Sequence, residues 1–286
     1  MPTALQQEIK QSTPTQPTFP TFFISHGGGP WPWLKKEMNG VFDQLEVSLR
    51  EMPEEAGATP KAILVISGHW ETSDFTVQSN LAPPMLYDYG GFPAFTYQVQ
   101  YPAPGSPELA RRVKDLLRGA GFSTTLDEKR GFDHGVFCPF AVAYPEAAIP
   151  VVQLSIRADY DPATHLAAGR ALAPLRTEGV LIVGSGLTYH NLRQFNPAGG
   201  AASHAFDEWL TNALCECPYE ERSARLTRWA QAPAARQCHP QEDHLIPLMV
   251  AVGAAGEEPG IRIYHEDNLL GGLAVSGYRF GDRVAL

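Results

Sequence analysis

Three histidines in this chain each follow a short apolar run. His26 comes after Phe22–Ser25 in ISHGGGP, His69 after Ala62–Ser67 in SGHWE, and His190 after Val180–Gly184 in GSGLTYHNL. Imidazole is the commonest side-chain ligand for zinc, copper and non-haem iron, and it also gains and loses a proton near neutral pH. If the three runs are strands of one open sheet, their carboxyl ends lie side by side, where such sheets form ligand sites. Three imidazoles delivered from separate strand ends then converge on one point without any short sequence spacing. A single histidine after a strand is more often a satisfied polar residue than a ligand, so the weight lies in three of three.

Further histidines extend the pattern. His134 lies in RGFDHGVFCP, flanked by Asp133 and Gly135. His239 and His244 lie in HPQEDHLIPL, with Glu242 and Asp243 as the nearby carboxylates. The spacing predicts a helix over His239–Ala251, shaped by Pro240 and Pro247. Residues five apart do not share one face of a helix, so one of the two histidines is expected as a ligand. The bland readings stand beside these: His134 fixes its loop through a carbonyl, and His239 is a helix-start residue pinned by Pro240. Trp31, Trp33 and Trp70 beside the histidine loops are pocket walls or, equally, core aromatics. His165, His204 and His265 sit in amphipathic or terminal contexts and read as surface or structural.

The elements that must position these residues alternate along the chain. Ala62–Ser67 (AILVIS), Pro150–Ile156 (PVVQLSI) and Val180–Gly184 are continuous apolar runs of the kind buried on both faces of a parallel sheet. Phe75–Gln78, Tyr97–Tyr101, Ser123–Leu126, Ile261–Tyr264 and Leu273–Phe280 are further predicted strands. Leu34–Met52 has helical spacing, with Met38, Val41, Phe42, Leu45 and Leu49 on one stripe. Ser106-Pro107 opens a helix to about Gly119, with Ser at the N-cap and Pro at the first helical position. Asp161-Pro162 opens another through Arg176, stopped by Gly179. His134–Tyr144, Ala201–Leu214 and Arg222–Ala230 are also predicted helical. There is no internal repeat and no low-complexity linker. The economical fold is a single α/β domain over residues 19–286, with a central mixed, largely parallel sheet flanked by helices. The Gln/Thr/Pro-rich residues 1–18 read as a mobile lead-in, without the apolar run of a secretory signal.

Composition narrows the function classes. The chain has 286 residues, 22 Lys+Arg and 31 Asp+Glu, a net charge of −9, and no basic block. That argues against nucleic acid or an anionic membrane surface as the main partner. No run of 18 apolar residues occurs, so no spanning helix is expected. Four cysteines without a CxxC pair suit reduced thiols in the cytoplasm, and the CxC at Cys215 and Cys217 has no second half for a metal site. HGGG also occurs as an oxyanion-hole motif of lipases, but no serine here has the GxSxG elbow which that reading requires. GGGP is followed by no Gly-Lys-Ser/Thr, and HExxH is absent.

Taken in order, SHGGGP, SGHW, RGFDHG, GSGLTYHNL and DHLIPL resemble the class III extradiol ring-cleavage dioxygenases, and within them the 4,5-DOPA-extradiol-dioxygenase-like branch. The resemblance runs from about Phe22 to the C-terminus. Each motif alone is weak; five in the family's order are specific. The resemblance implies a non-haem Fe(II) enzyme that uses O₂ to open a catecholic ring beside its diol, giving a muconic semialdehyde-type product. It implies His26, His69 and His244 as metal ligands, and His190 as the acid/base histidine that some zinc-containing members use as a fourth ligand. It implies His134 as a second pocket histidine that binds substrate or moves protons. Trp31, Trp33, Tyr189, Phe137 and His239 are candidate substrate contacts, and Arg130 or Arg193 would meet a carboxylated substrate. One departure matters. Better-known members hold the metal with two histidines and a carboxylate, whereas His244 here makes a neutral, all-imidazole set for which Zn(II) is a plausible occupant beside Fe(II). A zinc-dependent hydrolase and a non-catalytic binding protein on the same scaffold are the alternatives; loss of these histidines would be expected of the latter. A homodimer is the default expectation for a soluble enzyme.

Overall fold

The computed structural model describes residues 17–285. Of the expected lead-in, residues 1–16 lie outside the described residues. Eight strands form one sheet: β1 (Thr21–Ser25), β2 (Ala62–Thr72), β3 (Phe75–Gln78), β4 (Thr124–Asp127), β5 (Val151–Arg157), β6 (Val180–Gly186), β7 (Gly260–Leu269) and β8 (Leu273–Phe280). Their order is β4-β3-β5-β2-β6-β1-β8-β7. The centre, β5-β2-β6-β1, is parallel throughout, and β8 and β7 add an antiparallel edge. The sheet is therefore mixed and largely parallel, as the apolar runs predict. β1 and β6 are buried along their whole length, which is why their sequences do not alternate. Fully buried side chains such as Phe22, Phe23, Ile66 and Leu154 each contribute about 1.5–3 kcal/mol by leaving water.

The helices are α1 (Asp43–Ala56), α2 (Pro107–Gly119), α3 (His134–Ala143), α4 (Pro162–Leu172), α5 (Gly200–Cys215), α6 (Tyr219–Thr227), α7 (Ala235–Cys238) and α8 (Ile246–Ala255). α2 begins where Ser106-Pro107 predicts, with the Ser106 hydroxyl accepting from the Leu109 amide at 3.2 Å. Alternation along β6 places the two helical layers. A Cβ on Gly184 would face the Pro247 carbonyl of α8, whereas the Ser185 hydroxyl donates to the Gly135 carbonyl of α3. Neighbouring strand residues point to opposite faces, so α8 covers one side of the sheet centre and α3 the other.

Several predicted elements change. The helix expected over Leu34–Met52 starts only at Asp43, because Asn39 and Gly40 take left-handed backbone (φ 50° and 76°) that no helix continues through. Tyr97–Tyr101 is not a strand: Ala94–Gln98 forms a 3-10 turn within a loop that ties itself through Tyr87 Oη to the Val99 carbonyl and Tyr89 Oη to the Thr96 carbonyl. The predicted helix from His239 is a loop between α7 and α8. His239 precedes Pro240 and sits at φ −127°, ψ 82°, away from helical values. Finally, β2 extends five residues beyond Ser67, so His69 lies within the strand.

Candidate active site

Register brings the histidine-bearing ends together. Ser25 of β1 pairs with Gly186 of β6, and Ser185 of β6 pairs with Ser67 of β2. His26 follows Ser25 directly. His69 reaches the same edge by a bulge: Ile66 pairs with Leu154 and Glu71 with Ile156, so Ser67–Trp70 face the single residue Ser155. Such a bulge bends the strand and re-aims its side chains. The loop before α8 closes from the other side, and the His244 carbonyl accepts from the Leu187 amide at 3.1 Å. Gly186 permits this approach, since a Cβ there would lie 2.0 Å from the His244 carbonyl oxygen.

The result is a cluster of imidazoles. Ring centroids are 4.9 Å apart for His26 and His69, 5.1 Å for His26 and His244, and 4.6 Å for His69 and His244. One ring nitrogen from each lies within 4.8 Å of the other two. Nε2 of His69 and Nε2 of His244 are 3.1 Å apart. His134 stands 4.0 Å from His69 and 5.3 Å from His26, and His190 stacks on His244 at 3.4 Å. The structure thus brings together His26, His69, His134, His190 and His244.

Burial and mutual repulsion set the protonation of the cluster. Burial pushes the His26 pKa well below its usual value, and the surrounding imidazoles push it further. Burial and then His134 lower His69 to about 4, although Asp133 and Asp88 partly oppose this. Burial lowers His244 as well, despite its hydrogen bond with Asp243. These three imidazoles are therefore neutral at pH 7, the form that ligates metals. Both ring nitrogens of His26 are buried with no hydrogen-bond partner, and a buried nitrogen left unpaired is costly unless something occupies it. A tetrahedral ion with bonds of about 2.0 Å sets its nitrogen ligands roughly 3.3 Å apart, close to the spacing of the His69 and His244 nitrogens. The donor set fits a metal ion.

Carboxylates back the rings. Asp243 Oδ2 lies 2.6 Å from Nδ1 of His244 and 3.7 Å from Nδ1 of His190. Burial raises the Asp243 pKa, but the two imidazoles beside it outweigh that and hold the carboxyl well below the usual range. Asp88 Oδ1 lies 2.8 Å from Nδ1 of His134, and Oδ2 lies 3.4 Å from Nδ1 of His69. A deeper network supports His69. The Ser67 hydroxyl donates to Asp133 at 2.8 Å and accepts from the His69 amide, and Arg130 bridges Asp133 and the His69 carbonyl.

Several expected contacts lie elsewhere. Trp31 is buried, and its indole N–H donates to the His26 carbonyl at 2.8 Å, so it braces the loop that carries His26. Tyr189 is buried, with its hydroxyl bound to the Gln194 carbonyl. His239 is buried between Phe206 and Trp229, and its Nε2 meets the Thr188 carbonyl at 2.9 Å. Arg130 is committed to Asp133 and stacks on Trp70, and Glu242 pairs with Arg236. Arg193 is exposed. Trp33 does pack towards Phe137, at 6.0 Å. His165 is structural: its Nδ1 meets the Asp161 carbonyl and its Nε2 accepts from the Arg157 amide.

Sequence reasoning missed the segment over that wall. Tyr87 and Tyr89 pack on Phe137 at 6.0 and 6.2 Å, Tyr89 lies 5.8 Å from His134, and Phe92 and Tyr97 pack on Tyr89. It also missed Asp88. One signal was present: Asp88 is the only charged residue between Asp74 and Glu108.

Fold and site together define an aromatic ring-opening dioxygenase scaffold, and the chain belongs to the family described as the catalytic LigB subunit of aromatic ring-opening dioxygenase, whose model matches residues 19–281. A 4,5-DOPA dioxygenase extradiol of Beta vulgaris is 43% identical over 264 residues, covering 91% of this chain and 96% of its own. The Escherichia coli K12 protein of the same name is 34% identical, with 96% and 98% covered. Dioxygenase tasH of Hapsidospora irregularis is 36% identical, with 92% and 85% covered. Among solved structures, an uncharacterized Escherichia coli K12 protein superposes with a TM-score of 0.68 at 31% identity, covering 92% of this chain and all of that one.

Proposed function

We propose that this protein is an extradiol dioxygenase that opens a catecholic ring with O₂ at a non-haem metal held by His26, His69 and His244. The observation that carries the reading is the convergence of those three neutral imidazoles, with His190 stacked on one of them. Fe(II), when bound, supplies the redox and Lewis-acid chemistry that lets O₂ react with a catecholate. The remaining work falls to the chain. His190, paired with Asp243, takes a proton from the diol and returns one as the ring opens. His134, held by Asp88, is the second proton-handling group. Trp33, Phe137, Tyr87 and Tyr89 form an apolar wall for the ring and limit water there.

DOPA is the substrate named for three of the relatives' activities at 38–43% identity, and a DOPA- or protocatechuate-like catechol is our substrate class. The neutral ligand set favours a second occupant, Zn(II), in purified protein. We place the catalytic domain over residues 19–286. Four free cysteines suit the cytoplasm, and a homodimer is our working assembly. No helix among the described residues is long and apolar enough to cross a membrane.

The test is anaerobic reconstitution with Fe(II), followed by O₂ uptake over a panel including L-DOPA and protocatechuate. Uptake with a yellow product is expected. No uptake across the panel would sink the reading, and zinc-dependent hydrolysis without O₂ would replace it.

A further inference from the structure

We propose that Asp88 is the positioning residue of the metal centre: one carboxylate, carried on the aromatic segment, accepts the Nδ1 hydrogen bond of His134, sets its other oxygen 3.4 Å from Nδ1 of His69, and so favours in both rings the tautomer that leaves Nε2 free. The proposal rests on the metal reading above. It concerns how the chain presets the site.

The placement of Asp88 is specific. The residue's backbone lies at the surface, yet its carboxylate is turned inward and is only 19% exposed. Among the described residues its ionic partners are His69 and His134, and no lysine or arginine meets it. Oδ1 also accepts from the His134 amide at 3.0 Å, which pins the first residue of α3. One side chain therefore touches a ring from β2, a ring and an amide from α3, and the segment that carries Tyr87 and Tyr89.

An ionised carboxylate can only accept hydrogen bonds. Nδ1 of His134 must then carry the hydrogen that faces Oδ1, and the same preference acts on Nδ1 of His69 facing Oδ2. The lone pairs fall on Nε2. For His69, Nε2 is the atom that faces His244 in the centre. In the opposite tautomer, His69 would turn a lone pair on the carboxylate and a hydrogen on the centre, and would not ligate. Partners of this kind behind a ligating histidine fix its tautomer and ring orientation. Asp243 does the same for His244, but from the adjacent residue. Asp88 acts from a different segment, and that segment is also the wall on which Tyr89 meets His134. Placement of the wall and of His69 is thereby one event.

Two measurements on metal-free protein test this. Imidazole ¹⁵N shifts of the wild type should show His69 and His134 protonated on Nδ1; a proton on Nε2 of either ring overturns the proposal. Zn(II) affinity by chelator competition is then compared across variants. In Asp88→Asn an amide can donate towards one Nδ1, so a shifted tautomer and about 10- to 100-fold weaker Zn(II) binding are expected. Gln100→Ala removes a bond to Tyr87 Oη on the same segment but spares the carboxylate, and should keep the wild-type affinity and tautomers. Unchanged affinity in Asp88→Asn, or an equal loss in Gln100→Ala, overturns the proposal. The two readings fail separately: a wild type that binds no Zn(II) overturns the metal site, and its ¹⁵N shifts still decide Asp88.

Discussion

The ring of His190 lies on the ring of His244, centroids 3.4 Å apart and planes 22° apart, and both face Asp243. His190 therefore borders the three-histidine set, the position that its proposed acid/base role requires. His190→Ala should lower kcat by about 10²–10⁴-fold, the usual worth of a positioned acid or base, while iron content stays near that of the wild type. Turnover and metal analysis on the same preparation check it. Joint loss of metal and activity would make His190 a ligand instead.

His239 gives the opposite forecast. Its ring fills a buried site between Phe206 and Trp229 and meets the Thr188 carbonyl, away from the cluster. His239→Ala leaves a cavity and an unpaired carbonyl, and should destabilise by about 2–4 kcal/mol. Metal affinity and kcat at low temperature should be unchanged. A selective loss of metal with full stability would contradict this placement.

The contrast between His26 and His239 shows what sequence carried. The largely parallel sheet and its histidine-bearing ends were legible because β1, β2, β5 and β6 are buried on both faces, and continuous apolar runs announce that; the strand order was not. The histidines beyond Ser25 and Gly186 inherited their place from the strands. His69 differs from a strand-end residue: it lies within β2, delivered by a bulge facing Ser155 that no hydrophobic period encodes. Side-chain direction in loops was not legible. Trp31, Tyr189 and His239 neighbour the site in sequence but turn into the core, and Asp88 turns inward from a surface segment with no regular period.

Stability should fall with acid. In the unfolded chain each histidine titrates near its ordinary 6.5, but burial lowers His69 to about 4 and His239 to about 3, and lowers His26 and His244 as well. Between those values the unfolded chain binds protons that the folded chain refuses, so lowering the pH favours unfolding. Asp88 and Asp243, held below their ordinary 3.8, extend the loss to lower pH. The denaturant midpoint of metal-free protein should be highest near pH 7 and decline steadily from about 6.5 to 4. A flat midpoint over that window would show that the histidines are not buried neutral.

Gly135 offers a way to disturb His69 without removing any polar group. It is the second residue of α3, and a Cβ there would lie 2.6 Å from Ser67 Oγ, 3.0 Å from His69 Cδ2 and 3.2 Å from Asp133 Oδ1. The helix itself tolerates alanine better than glycine, by about 1 kcal/mol. The added methyl must therefore act by displacing its neighbours, and the Ser67–Asp133 bond limits movement on that side. The imidazole of His69 is the group left to give way, which carries Nε2 off the centre. Gly135→Ala is expected to weaken Zn(II) binding by at least about tenfold, as loss of a ligand's supporting contact does, with helix content unchanged by circular dichroism. Equal affinity in the variant would mean that α3 shifts as a body and spares His69, and a crystal structure of the variant would then show the displaced helix.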